Sequence, residues 1–176
     1  MRSRKITTKK LVTASMLLAI GVIIPSIFHL TGLPGQMLLP MHIPVLIGGF
    51  LLPPSLAILL GMLTPLLNSV ITGMPVLFPI AIIMIFELGA YALVASLLYR
   101  VLKVPSLLAI IISMVVGRII AGVTIFVLSA FFTLPLDPVL FVRGAVIAGF
   151  PGIIIQIILV PSLVYAIVKY TTINLD

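Results

Sequence analysis

Residues 38–54 read LLPMHIPVLIGGFLLPP. Four prolines and one histidine stand in a stretch that is otherwise apolar. Proline removes a backbone donor and blocks helix continuation, so the segment can be read only once its solvent is known. The whole chain answers that. Of its 176 residues, 62% are hydrophobic and 7% are charged, whereas soluble domains carry about a quarter charged residues. The expected solvent is a lipid bilayer.

There is no cysteine, which removes disulfides and thiolate chemistry. The net charge of +7 reads as a topology signal rather than a phosphate-binding patch, so no nucleic-acid partner is expected. The chain opens with a basic run from Arg2 to Lys10 and then the apolar run 11–24. No A-x-A-like cleavage site follows, and the run is long enough to span, so a retained helix is expected.

A spanning helix needs about 20 mostly apolar residues. Cutting at proline, glycine and polar clusters predicts an all-α integral membrane protein, one membrane domain over 1–176. Its six helices are expected at about 10–29, 41–53, 55–72, 76–101, 106–132 and 141–169. The second and third are short and share the break at Pro53 and Pro54. Arg2, Arg4, Lys5, Lys9 and Lys10 precede the first span, Arg100 and Lys103 separate the fourth and fifth, and Lys169 ends the sixth. Six crossings put all of these on one side, so both termini are expected in the cytoplasm by the positive-inside rule.

Several polar residues do not suit hydrocarbon. Glu87 and Arg118 fall near the middle of consecutive antiparallel spans, at matched depth, so an ion pair or a shared wet cavity is expected. The pair reads either as a lock between two helices or as substrate contact; Tyr91 lies one turn from Glu87 on the same face. Gly61, Thr64, Asn68 and Thr72 form a small and polar stripe on the third span, and Ala145, Gly149, Gly152 and Gln156 another on the sixth. Both amides read as interhelical bonds or as ligand contacts. Arg143 lies off the second stripe, and reads either as a headgroup contact or as part of a cavity mouth with Asp137. Ser15 and Ala19 make a small-xxx-small pair suited to close helix packing, within the chain or against a partner. No P-loop, H-E-x-x-H or G-x-S-x-G pattern occurs, so nothing supports an enzyme.

Four blocks resemble the substrate-binding S components of energy-coupling factor (ECF) transporters. Residues 41–75, MHIPVLIGGFLLPPSLAILLGMLTPLLNSVITGMP, resemble the second and third helices of that family. FELGAYALVASLLYR at 86–100 resembles its fourth, and GRIIAG at 117–122 and PGIIIQIILVPSLV at 151–164 its fifth and sixth. The resemblance implies a membrane receptor for a vitamin or related water-soluble compound. It further implies a coupling transmembrane subunit and two ATPase subunits as separate partner chains, and a bacterial cytoplasmic membrane. Ser15-x-x-x-Ala19 stands where the family has an alanine pair that docks on the coupling subunit, serine departing from alanine. The substrate would be held by the first outer loop and helices four to six. Pro34, Pro40 and Pro44 would shape a lid, with His42 near the mouth. The expected substrate contacts are His42, Asn68, Glu87, Tyr91, Arg118 and Gln156. MHIP also resembles the start of cobalt and nickel S components, but Met41 has no free amine, so no metal and no cofactor is expected. The alternatives are an autonomous proton-coupled transporter using Glu87, and a structural subunit of a membrane complex.

Overall fold

The computed structural model describes residues 7–32, 35–132 and 134–170. Pro34 and the first three topology charges, Arg2, Arg4 and Lys5, lie outside the described residues. The elements are α1 (Thr8–Thr31), α2 (Gly35–Leu38), α3 (His42–Leu51), α4 (Pro54–Thr72), α5 (Ile82–Ser96), α6 (Ser106–Phe132), α7 (Pro138–Ala148) and α8 (Phe150–Tyr170). Wide turns at Leu77–Ala81 and Leu97–Val101 extend α5 at both ends. No strand occurs among the described residues.

Among the described residues, five helices are long and apolar enough to cross a membrane: Thr8–Thr31, Pro54–Thr72, Leu77–Val101, Ser106–Phe132 and Phe150–Tyr170. At about 1.5 Å per residue, the 24 residues of α1 outreach a hydrocarbon layer of about 30 Å. Their boundaries follow local chemistry. α1 and α4 each end on a glycine in the left-handed region, Gly32 at φ 69° and Gly73 at φ 73°, where a side chain would be strained. α4 starts at Pro54, whose missing N–H is unneeded in a first turn.

The stretch around Pro44 folds as a half-length helix in the middle of the protein. α3 has ten residues, about 15 Å, and all except Ile43 are buried. It packs against α1, α4, α5 and α8. Pro53 and Pro54 stop it, since neither can donate the next helical bond. The α5 helix covers the chain where α3 ends. Ser96 Oγ donates to the Leu52 carbonyl at 2.7 Å, and Arg100 Nη1 to the Leu51 carbonyl at 2.6 Å.

Two expectations are corrected here. Arg100, read from the sequence as a loop charge, is 1% exposed, because the unsatisfied carbonyls ending α3 draw the guanidinium inward. The sixth helix, expected to run unbroken over 141–169, is two helices meeting at Gly149. Pro151 explains the break: it cannot donate to the Ile147 carbonyl, and its ring crowds that oxygen.

Candidate functional site

Two close approaches bring α4, α5 and α6 together around Glu87. Gly61 lies against the Leu88 carbonyl and the Gly89 backbone, and Gly117 against the Tyr91 ring, so closely that neither site has room for a Cβ. The backbone beside Glu87 is thereby held from both sides. Across this contact Arg118 Nη1 reaches Glu87 Oε1 at 2.8 Å, and Tyr91 Oη donates to the same oxygen at 2.8 Å. The pair expected from matched depth is present, and Glu87 is 3% exposed.

Arg118 and Tyr91 also line a cavity of about 790 Å3. His42 enters it from the start of α3, its ring 5.6 Å from that of Tyr91. Gln156 enters from α8, and Arg143 from α7. The rest of the lining is apolar, with Ile119, Val123 and Phe126 of α6 and Val139, Val142 and Val146 of α7 prominent. The segment before α3 closes one side. Gly152 lets the Met37 and Leu38 backbone lie directly on α8, Gly149 accommodates the Leu39 side chain, and Leu39 itself lines the cavity. Leu39 holds φ at 50°, uncommon for a residue with a Cβ, and its carbonyl accepts from the His42 N–H at 3.0 Å. The strained turn thus positions His42.

Two of these side chains stand out by their bonding. His42 is 3% exposed and Gln156 0%. Neither ring nitrogen of His42 and neither amide atom of Gln156 has a hydrogen-bond partner among the described residues. Buried polar groups are nearly always bonded, and leaving one unbonded costs about 1–3 kcal/mol. Both residues belong to the cavity lining, although these four atoms are themselves covered.

Of the six residues expected to contact substrate, His42, Tyr91, Arg118 and Gln156 line this cavity, and Glu87 stands behind Arg118. Asn68 lies elsewhere. Its Nδ2 donates to the Gly21 carbonyl of α1 at 2.9 Å and to Thr64 O at 2.9 Å. The reason is Pro25: lacking an N–H, it leaves the carbonyl four residues earlier, that of Gly21, without its helical partner. Thr64 and Thr72 likewise bond carbonyls of their own helix, Leu60 O at 2.6 Å and Asn68 O at 2.7 Å. The polar stripe of α4 is a packing surface. Asn68→Ala is therefore expected to lower stability by about 1–3 kcal/mol, by orphaning a buried carbonyl, and to leave ligand affinity unchanged. Unfolding of the empty protein beside a ligand titration checks this; weakened binding at unchanged stability would contradict it.

Ser15 and Ala19 are exposed on α1. Asp137 does not join Arg143 at a cavity mouth: its Oδ1 accepts the Leu140 N–H at 2.8 Å as the N-cap of α7. Arg143 and Leu39 are two of the lining residues absent from the expected contacts. Arg143 carried a signal, being a basic residue in an apolar segment with almost no acids to pair it. Leu39 carried none. No group of three His, Cys, Asp or Glu side chains comes together among the described residues.

Fold and cavity together define a multi-pass helical membrane protein built around a chamber of small-molecule size. The chain belongs to the ECF transporter substrate-specific components, whose family model matches residues 9–164. It is thus a substrate-binding membrane subunit, in a family of transport subunits rather than enzymes. No curated protein and no solved structure shows significant similarity to it.

Proposed function

We propose that this chain is the substrate-capturing subunit of an ATP-driven importer for a vitamin or related small water-soluble compound. It acts with a separate coupling transmembrane subunit and two ATPase subunits in a bacterial cytoplasmic membrane. The observation that carries this reading is a cavity of about 790 Å3 whose lining includes His42, Tyr91, Arg118 and Gln156. In this reading the α2–α3 segment counts as the second of six crossings, with both termini cytoplasmic. The charges Lys9, Lys10, Lys103 and Lys169 then share one side. The substrate enters from the other side, where Leu39 and α2 lie over the cavity, and leaves when the partners reorient the subunit. The proton-coupled alternative finds less support, because Glu87 is engaged by Arg118 and Tyr91 and does not line the cavity.

Mass spectrometry of small molecules released from the purified protein, followed by rebinding of the compound found, tests this. Gln156→Ala and His42→Ala are each expected to weaken binding by about 1–3 kcal/mol, the value of a buried hydrogen bond left unpaired. That is roughly five- to 150-fold in Kd. Unchanged affinity in both would remove the cavity from the substrate path. Uptake into liposomes by this chain alone, driven by a proton gradient, would overturn the ATP-driven reading.

A further inference from the structure

The makeup of the cavity narrows what it receives. Most of its wall comes from α6, α7 and α8, and the lining there is apolar apart from Arg118, Arg143 and Gln156. On α6, Ile111, Val115, Ile119 and Val123 all belong to the lining. Their four-residue spacing keeps them on one side of the helix, over a length of about 18 Å.

The polar side chains of the lining do not change its character. Arg118 is matched by Glu87 at 2.8 Å, and the Tyr91 hydroxyl is spent on the same carboxylate. The polar atoms of His42 and Gln156 are covered. Arg143 is exposed, and a long basic side chain of that kind lays its stem on apolar surface while its charge reaches water or headgroups. A charged molecule entering the cavity would therefore give up its hydration and find no free counter-charge in exchange. An uncharged apolar body meets no such cost, and gains in proportion to the surface it removes from water. A volume of about 790 Å3 suits an organic molecule, since small-molecule sites run to about 300–1,000 Å3.

We infer that the compound this cavity takes is uncharged, with an apolar body lying between α6 and α7. The groups that keep it soluble in water are uncharged as well. They stay at the end of the cavity beside Phe126 and Val139, both of which are exposed. This rests on the reading of the cavity as the substrate chamber, and it sets organic acids and amines aside as substrates.

The test uses the full chain in phosphatidylcholine nanodiscs, with empty nanodiscs as the partition control. The probes are phenylbutanol, phenylbutyrate and phenylbutylamine, which share a body and differ in charge. After subtraction of partitioning, phenylbutanol is expected to bind about tenfold or more tightly than the other two, a gap of about 1.4 kcal/mol. Val115→Trp and Ile119→Trp each put a large side chain on the cavity wall, and each should weaken phenylbutanol binding about tenfold. Both positions are exposed, so the melting temperature should match that of the parent chain. Val127→Trp changes an exposed α6 position outside the lining and should leave binding unchanged.

Acid or amine binding as tightly as the alcohol would overturn the inference. So would alcohol binding no better than to empty nanodiscs at millimolar concentration, alcohol binding that survives both wall variants, or an equal loss in Val127→Trp. Compounds released from the purified protein separate this inference from the reading beneath it. An uncharged small molecule supports both. An organic ion overturns the inference and leaves capture standing, whereas phospholipid alone overturns capture itself.

Discussion

Glu87→Gln is expected to lower stability by about 3–5 kcal/mol, because it leaves Arg118 as an uncompensated, largely buried charge. The pair lies at 2.8 Å, with side chains 13% and 4% exposed for Arg118 and Glu87, so solvent can replace little of what is lost. The glutamine retains an oxygen for the Tyr91 hydroxyl, which confines the change to charge. The double variant Glu87→Gln, Arg118→Met should recover most of the loss, since removing both members of a buried pair is often close to neutral. Thermal and denaturant unfolding of the four proteins in one detergent reads this as a double-mutant cycle. If Glu87→Gln alone shifts stability no more than a substitution on a lipid-facing position, the pair contributes nothing to the fold.

The second large effect is on assembly. Ser15→Leu combined with Ala19→Leu is expected to abolish co-purification with the coupling subunit while leaving fold and ligand binding intact. Both positions are exposed on α1, within a surface that also presents Leu11, Ile23 and Ile27. The Ser15 hydroxyl donates to the Leu11 carbonyl at 3.0 Å, so it needs no partner of its own and offers a small, self-satisfied surface. Small residues let two helix backbones approach closely, and a leucine at each position holds them apart. Recovery of the complex at normal yield would rule this face out. Loss of ligand binding in the isolated variant would instead reveal packing within the chain.

The membrane class was legible from composition, and the long helices from hydropathy with proline and glycine breaks. The predicted spans at 55–72, 76–101 and 106–132 lie close to Pro54–Thr72, Leu77–Val101 and Ser106–Phe132, because those breaks act locally. Pairing of Glu87 with Arg118 was also legible, since two lone charges at equal depth on consecutive helices have few alternatives in hydrocarbon. Less legible was the split of the last helix. Pro151 signals a break, yet Pro25, Pro65 and Pro161 stand inside continuous helices. Whether a proline ends a helix depends on whether neighbours satisfy the carbonyl it frees, as Asn68 does for Gly21.

The two amides mark where sequence ends and tertiary structure begins. Asn68 and Gln156 each lie on a stripe of small residues within an apolar helix, and periodicity treats them alike. Asn68 donates to the Gly21 carbonyl on α1 and leaves only its Oδ1 unbonded, whereas Gln156 belongs to the cavity lining and has both amide atoms unbonded. Arg100 and Arg143 diverge in the same way. The first turned inward to the carbonyls ending α3, and the second was left on the cavity wall once Glu87 and Asp137 were engaged elsewhere. The amino-acid sequence by itself determined the solvent, most of the long helices and the side each residue presents, because these depend on hydropathy, on local breaks and on a fixed helical period. Only the tertiary structure decided which of those sides met a backbone carbonyl and which met a cavity, because that depends on what a distant part of the chain places opposite.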